Sequence, residues 1–339
     1  MAVVKADGYG HGAPAAARAA VAGGAAALGV AAVSELEELR EAGITTPIQV
    51  LGPLTEAEIA RALAAGGELT LWTASAAAQA AALASESQPA DVHLKLDTGM
   101  GRLGARVEET TDLARAASDP RLRVVGLMTH FATADEFDGE HAGFMREQLL
   151  RFGGLVRDLG DAFPGAITHA ANSAATLRDP RAHLDMVRCG IALYGCSPFM
   201  GDPDEHGLRP AMELVSWLAS VKRVHSRDSV GYGRTYRARR GTRIGLVPIG
   251  YADGYSRVLS NAAEVLVGGR RVPVVGTISM DQLTVDLGPE GDERIGDEVV
   301  LMGARGSERI LAEDLGRLRG SINYEVTCTV GGRVPREAV

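Results

Sequence analysis

Through the first 195 residues, short apolar runs alternate with longer Ala- and Glu-rich stretches. The runs AVVKA (2–6), AALGVA (26–31), IQVLG (48–52), ELTLWT (68–73), VHLKLDT (92–98), VVGLMTHF (124–131), AITHAANS (166–173) and MVRCGIALYG (186–195) predict eight strands. Between them, SELEELREAG (34–43), TEAEIARALAAG (55–66) and EHAGFMREQLLRFGGLVRDLG (140–160) predict helices, with Thr55 placed to cap the one it precedes. Eight strands alternating with helices suit a closed (β/α)8 barrel of the TIM type better than an open sheet. The eighth run breaks the pattern. It is followed by CSPFMGDPDEHGLRP, whose Pro and Gly content forbids the outer helix due there, so one barrel face is expected to be bare.

From about residue 211 the pattern changes to alternating β runs: ELVSWLASVKRV, TRIGLVPIG, EVLVGGRRVPVVGTISMDQLTVDL, DEVVLMG and INYEVTCTVGG. Gly268 and Gly269 mark a hairpin, and a single helix, AEDLGRLRG, interrupts the series. The expected organisation is a barrel over 1–208 followed by a mostly antiparallel β domain over 209–339.

Composition narrows the class. A chain that is 46% hydrophobic but only 4% aromatic packs with Ala, Val and Leu rather than through aromatic binding surfaces. Its net charge of -8 argues against nucleic acid or an anionic membrane as the main partner. Cys189, Cys196 and Cys328 have neither C-x-x-C nor zinc-like spacing and read as reduced thiols. The apolar stretch from Ala15 to Val33 contains Arg18 and is too weak for a membrane span or a signal-peptide core, so a cytoplasmic protein is expected.

In a barrel of this kind the chemistry sits at the carboxyl ends of the strands, and a phosphate site commonly follows strands seven and eight. The polar residues gather at those ends. Lys5 closes the first predicted strand, Asp97 and Arg102 follow the fifth, His130 closes the sixth, Asn172 and Ser173 close the seventh, and Arg188 and Gly190 lie in the eighth. The acidic run DEFDGEH (135–141) fits no common metal-ligand spacing and reads as a solvated loop. GYGHG is neither a Walker A loop nor GxGxxG. A lysine able to hold an aldehyde, a serine and backbone amides set for a phosphate, and an arginine near a ring together describe a pyridoxal 5'-phosphate (PLP) site.

Nine segments in order carry a resemblance to a known family: AVVKADGYGHG, LKLDTGMGRLG, THFATADE, HAANSAATLR, MVRCGIALYG, VGYGRTYRA, PIGYADGYSR, VGTISMDQLTVDLG and INYEVTCTVGGRVPR. Over nearly its whole length the chain closely resembles the PLP-dependent alanine racemases of fold type III. The resemblance implies an isomerase that interconverts L-alanine and D-alanine, supplies D-alanine for peptidoglycan synthesis, and works as a homodimer with active sites shared between subunits. It implies that Lys5 bears the PLP and that Tyr9, Ser173, the amides of Gly190 and Ile191, and Tyr324 contact its phosphate. Arg188 matches the arginine at the pyridine nitrogen, with His130 in the same network and Asn172 beside Ser173 in the shared motif.

By the same resemblance Tyr232 is the second catalytic base, and Met280 presents its backbone amide to the substrate carboxylate with Arg102 in support. Tyr251 and Arg257, beside Asp281, match residues along the path by which substrate arrives, and Lys95 matches a lysine that is carbamylated in some members. Racemisation requires a proton to leave one face of the α-carbon and another to reach the opposite face, which calls for two acid/base groups. A tyrosine, with a reference pKa near 10, needs nearby positive charge to serve as a base. Family members usually carry a strand and a helix ahead of the first motif, and this chain is expected to lack both. A PLP decarboxylase on the same barrel would place a carboxylate where Arg188 stands, and a non-catalytic PLP-binding protein would lack the second domain that carries Tyr232 and Met280.

Overall fold

The structure is a computed structural model and describes residues 1–159 and 161–338. A first compact unit spans Met1–Leu193 and a second begins at Tyr194. The first unit is built on seven parallel strands in sequential order: β1 (Ala2–Val3), β2 (Leu28–Val30), β3 (Ile48–Val50), β4 (Glu68–Leu71), β5 (Ala90–Lys95), β6 (Leu122–Met128) and β7 (Ile167–His169). Each pairs in register with the next, as Leu28 does with Ile48 and Leu94 with Leu127.

The eighth predicted strand is corrected by the structure. Residues 186–195 form no full strand, yet they close the ring. On one side the amides of Met186 and Arg188 donate to the carbonyls of Thr168 and Ala171. On the other, the Val3 amide donates to the Cys189 carbonyl at 2.8 Å, and Ala2 and Cys189 form a single parallel bridge. Pairing stops there because the chain turns at Gly190 into a 3-10 turn, Ile191–Tyr194, that withdraws its amides from the ladder.

Predicted strand ends were also too long. β1, β6 and β7 stop before Lys5, His130 and Asn172, so those three residues stand on the turns beyond the strands. The strands stop there because the barrel rim is where backbone groups change partner, from the ladder to loop and side-chain acceptors.

The outer helices follow the apolar spacing. Val33–Glu41 buries Val33, Leu36 and Leu39, and Glu56–Ala64 buries Ile59 and Ala62. Ala74–Leu83 packs through Ala77, Ala80 and Ala81, small side chains that bring it close to the sheet. Burial of a Leu or Ile of this kind contributes about 1.5–3 kcal/mol. The helix predicted over 140–160 runs Phe144–Leu159, and Gly160 lies outside the described residues. It starts late because the chain is still turning at its head, where the Phe144 amide donates to the His141 carbonyl.

In the second unit one antiparallel sheet joins Leu283–Gly288, Thr242–Val247 and Ser220–Val224, and another joins Arg270–Pro273, Glu264–Val267, Glu298–Arg305 and Glu308–Ile310, with Leu214–Trp217 also paired to Glu298–Arg305. Gly268 and Gly269, at φ 57° and 74°, form the two-residue hairpin loop that only such conformations allow without strain. The last predicted β run is corrected: Asn323–Cys328 is a helix that follows Ala312–Arg319 after the left-handed Gly320. Its inward face is Asn323, Val326 and Thr327, a helical spacing that the β-branched residues obscured.

Thr55 caps its helix as expected: its hydroxyl accepts from the Glu58 amide at 3.3 Å, and the Glu58 carboxylate accepts from the Thr55 amide at 2.9 Å. Thr55→Ala is expected to lower unfolding stability by about 1 kcal/mol, read as a drop in the urea midpoint without a change in slope.

Candidate active site

Directly behind Lys5 the backbone does something rare. Ala6, Asp7, Gly8 and Tyr9 all have positive φ, 53°, 52°, 61° and 54°, and form one left-handed helical turn. The Gly8 amide donates to the Val4 carbonyl and the Gly12 amide to Asp7, both at 2.9 Å. Such a conformation costs about 1–2 kcal/mol for each non-glycine residue. Carboxylates offset it. Glu35 accepts from the Ala6 amide at 2.6 Å and also from the Ala31 and Ala32 amides, while Asp7 accepts from the Ala13 amide at 2.7 Å. The turn leaves Lys5 at its start, half-exposed, and brings Tyr9 round into a buried position.

Tyr9 is aimed at a backbone that has been cleared for it. A Cβ on Gly190 would stand 2.2 Å from the Tyr9 hydroxyl, so only glycine permits the approach. The Ser173 hydroxyl lies on the same spot, accepting from the Gly190 amide at 2.9 Å and the Ala192 amide at 3.3 Å. Ile191 lies between those two amides. Asn172 caps the short helix Ser173–Arg178, its side-chain oxygen accepting from the Ala175 amide at 3.0 Å. Two hydroxyls and a run of backbone amides thus converge at the end of β7, the position at which barrels of this type hold phosphate.

Beside this cradle is a cluster of positive charge. Arg188 is buried, with its guanidinium donating to the Thr129 and Ala170 carbonyls at 2.7 and 3.0 Å and to ring nitrogens of His130 at 3.1 Å and His169 at 3.0 Å. Burial and the Arg188 charge hold both imidazoles well below the usual histidine range, so both are neutral at pH 7. Burial, with the charges of Arg102, Arg188 and Lys5, brings the Lys95 amine down to about 8. Those three charges and that of Lys95 bear on His130. Lys5, Lys95, Arg102, His130 and Arg188 therefore share one electrostatic site, drawn from the ends of β1, β5, β6 and the closing segment.

Three residues of this network went unread in the sequence. His169 ends β7, its ring nitrogen meets that of His93 at 3.0 Å, and His93 meets the Glu68 carboxylate at 2.9 Å. The spacing of His93 and Lys95, two apart on one strand, could have placed both on the barrel's inner face. Nothing local marks Glu68 or His169.

In the second unit Tyr232, Tyr251, Met280 and Asp281 are gathered by one loop. The Thr277 hydroxyl donates to the Tyr232 carbonyl at 2.9 Å, the Tyr251 amide donates to Ser279, and the Ala252 amide donates to Met280. Gly250 allows this, since a Cβ there would stand 2.4 Å from the Met280 carbonyl oxygen. Arg333 donates to Asp281 at 2.8 Å and pairs with Asp253 at 3.2 Å, a role the sequence did not suggest. Tyr232 and Met280 are 72% and 52% exposed, which presents both on the unit's surface. Tyr324 is carried separately, half-buried, on the helix Asn323–Cys328.

Gly126 sits against the imidazole pair: a Cβ there would stand 2.1 Å from His93 Nδ1. Gly126→Ala is expected to part His93 from His169 and lower stability by about 1–3 kcal/mol in a denaturant titration, with the helix content of the native baseline unchanged.

Comparison with known proteins identifies the family. The family model for the alanine racemase N-terminal domain matches residues 1–198 and that for the C-terminal domain matches 211–338. The alanine racemase of Desulforamulus reducens is 43% identical, covering 99% of this chain and 90% of its own. That of Symbiobacterium thermophilum is 44% identical, covering 99% and 89%. Among solved structures, alanine racemase from Streptomyces coelicolor A3(2) superposes with a TM-score of 0.93 at 41% identity, covering 99% of this chain and 90% of that one. The enzyme from E. faecalis gives 0.92 at 37%, with the same coverage. The two family models and these full-length relatives establish that the chain belongs to the alanine racemase family.

Proposed function

We propose that this chain interconverts L-alanine and D-alanine, using PLP, as a homodimer in which each active site draws on both subunits. The observation that carries the reading is the joint placement of Lys5, the Tyr9–Ser173–Gly190 cradle and buried Arg188 around one barrel mouth. The division of labour that goes with it is a PLP-binding barrel over 1–208 and a C-terminal β domain over 209–339 that supplies Tyr232 and Met280.

The residues present fit the cofactor. Tyr9 and Ser173 offer hydroxyls, and Gly190 offers backbone with no Cβ in the way, where a phosphate would lie. Asn172 shapes that cradle through its cap, and the Ile191 amide and Tyr324 would complete it. Arg188 offers only N–H donors, so it can hydrogen-bond an unprotonated ring nitrogen but cannot protonate it as a carboxylic acid would. Bound PLP supplies electron withdrawal from the substrate α-carbon, which makes its hydrogen acidic.

The protein's own groups then handle the proton. Lys5 Nζ serves one face of the α-carbon, and the hydroxyl of the partner subunit's Tyr232 serves the other. His130 accepts from Arg188 at Nδ1, so as a neutral ring it carries its proton on Nε2 and can donate that proton to a phenolate oxygen. Arg102 and the backbone amide of the partner subunit's Met280 would hold the substrate carboxylate, while Tyr251 and Asp281 would line its approach.

Lys95 is suited to carbamylation. With its amine brought to about 8, a substantial neutral fraction exists near pH 7–8, able to form an N–C bond to carbon dioxide with loss of one proton. The resulting anion lies where the charges of Arg102, Arg188 and Lys5 now act on the amine. Incubation with 13C-bicarbonate is expected to give a carbamate carbon resonance that Lys95→Ala abolishes. It should strengthen as pH rises toward 8, because the neutral amine is the reacting form.

The primary test is the circular dichroism of L-alanine incubated with the purified chain and PLP. The signal is expected to fall to zero at constant alanine concentration. Lys5→Ala and Tyr232→Phe should each slow that decay by about a hundredfold or more, the usual contribution of a positioned acid/base group. A persistent signal with the native chain would overturn the reading.

A further inference from the structure

The barrel interior contains a hydrogen-bonded chain whose direction is fixed by chemistry alone. Arg188 Nη1 meets His169 Nδ1 at 3.0 Å, His169 Nε2 meets His93 Nδ1 at 3.0 Å, and His93 Nε2 meets a Glu68 carboxylate oxygen at 2.9 Å. A guanidinium has donors only, so His169 Nδ1 accepts. Neutral His169 therefore carries its proton on Nε2 and donates it to His93 Nδ1. His93 must then carry its own proton on Nε2 and donate to Glu68, which as a carboxylate only accepts. Every N–H in the chain points away from Arg188 and toward Glu68.

The two ends lie at opposite ends of the barrel. Glu68 is the first residue of β4, at the amino-terminal end of the sheet, while Arg188 stands at the carboxyl-terminal mouth. His93 and His169 are buried, and the Glu68 side chain retains only 18% exposure, so water does not readily replace these partners. The groups bonded to the Arg188 guanidinium are carbonyls and imidazoles. Glu68 is the carboxylate at which the hydrogen-bonded path through His169 and His93 ends.

We propose that Glu68 is a positioning residue for Arg188: by accepting from His93 it fixes the tautomers of His93 and His169, and so keeps a ring acceptor in place against the Arg188 guanidinium. If that acceptor is lost, His93 is free to carry its proton on Nδ1. That proton faces His169 Nε2, which must then accept, and the His169 proton moves to Nδ1. Two donors, Arg188 Nη1–H and His169 Nδ1–H, now confront each other, and Arg188 rotates away. The consequence for catalysis rests on the proposal above that Arg188 meets the cofactor ring.

The test starts with the native full chain, labelled with 15N at histidine, whether or not PLP is bound. His93 and His169 are both expected as Nε2–H tautomers with unprotonated Nδ1. A proton on Nδ1 of either ring in the native protein overturns the proposal outright. Glu68→Gln keeps an amide oxygen for His93 and should preserve both tautomers, whereas Glu68→Leu should shift both rings toward Nδ1–H.

In the PLP-loaded enzyme, Glu68→Leu is expected to lower kcat for L-alanine about tenfold, the scale of one misdirected hydrogen bond, with KM within about twofold, while Glu68→Gln stays within about threefold of native. Equal loss in the two variants, or unchanged tautomers in Glu68→Leu, overturns the proposal. A native chain without racemase activity but with the expected tautomers would overturn the functional reading and leave the relay standing.

Discussion

A guanidinium buried among carbonyls and imidazoles is the constraint around which the barrel unit is organised. Arg188 can exist there only with acceptors around its guanidinium, because an unpaired buried charge is far costlier than any single packing defect. The acceptors come from two strand ends: the Thr129 carbonyl and His130 ring after β6, and the His169 ring and Ala170 carbonyl at the end of β7. The closing segment is pinned to β7 and β1 by backbone bonds on either side of that arginine. Closure of the ring and placement of the charge are one event.

Burial first, and then the positive field that results, explain the state of its neighbours. His130 and His169 stay neutral, so one can accept from Arg188 and still donate from its far nitrogen. Lys95, buried and also pressed by Arg102, Arg188 and Lys5, loses part of its basicity. An anionic ligand, whether a phosphate or a carboxylate, is favoured in such a mouth, where the charges of Lys5, Arg102 and Arg188 stand against the single Asp97 carboxylate that also acts on Lys95.

Strain is concentrated where the lysine stands. Four successive left-handed residues are a rare expenditure of backbone energy, and the carboxylates of Glu35 and Asp7 hold them in place. The return is geometric: the chain reverses within one turn, so Lys5 and Tyr9 serve the same mouth although four residues apart. The glycine at 190 completes this by letting the Tyr9 hydroxyl touch backbone.

The order of the first seven strands, the break after the eighth run, the Thr55 cap and the Gly268–Gly269 hairpin were all legible in the sequence, because they depend on periodicity and on residues with narrow conformational preferences, whereas the eighth run forms no full strand. So was the placement of Lys5, Arg102, His130 and Ser173 beyond strand ends that define a common rim, whereas Arg188 lies in the closing segment that forms no full strand. The helix at Asn323–Cys328 was not legible, because β-branched residues over so short a span carry a β signal that tertiary packing overrides. Nor was the left-handed turn behind Lys5, which depends on Glu35 reaching back from another element. The Glu68–His93–His169 chain was hidden most completely. Sequence alone determined which strand-end residues carry donor or titratable groups and at which end of the barrel they lie. Only the tertiary structure decided which way each hydrogen bond runs, because donor and acceptor roles are assigned by neighbours up to scores of residues away, not by the residues beside them.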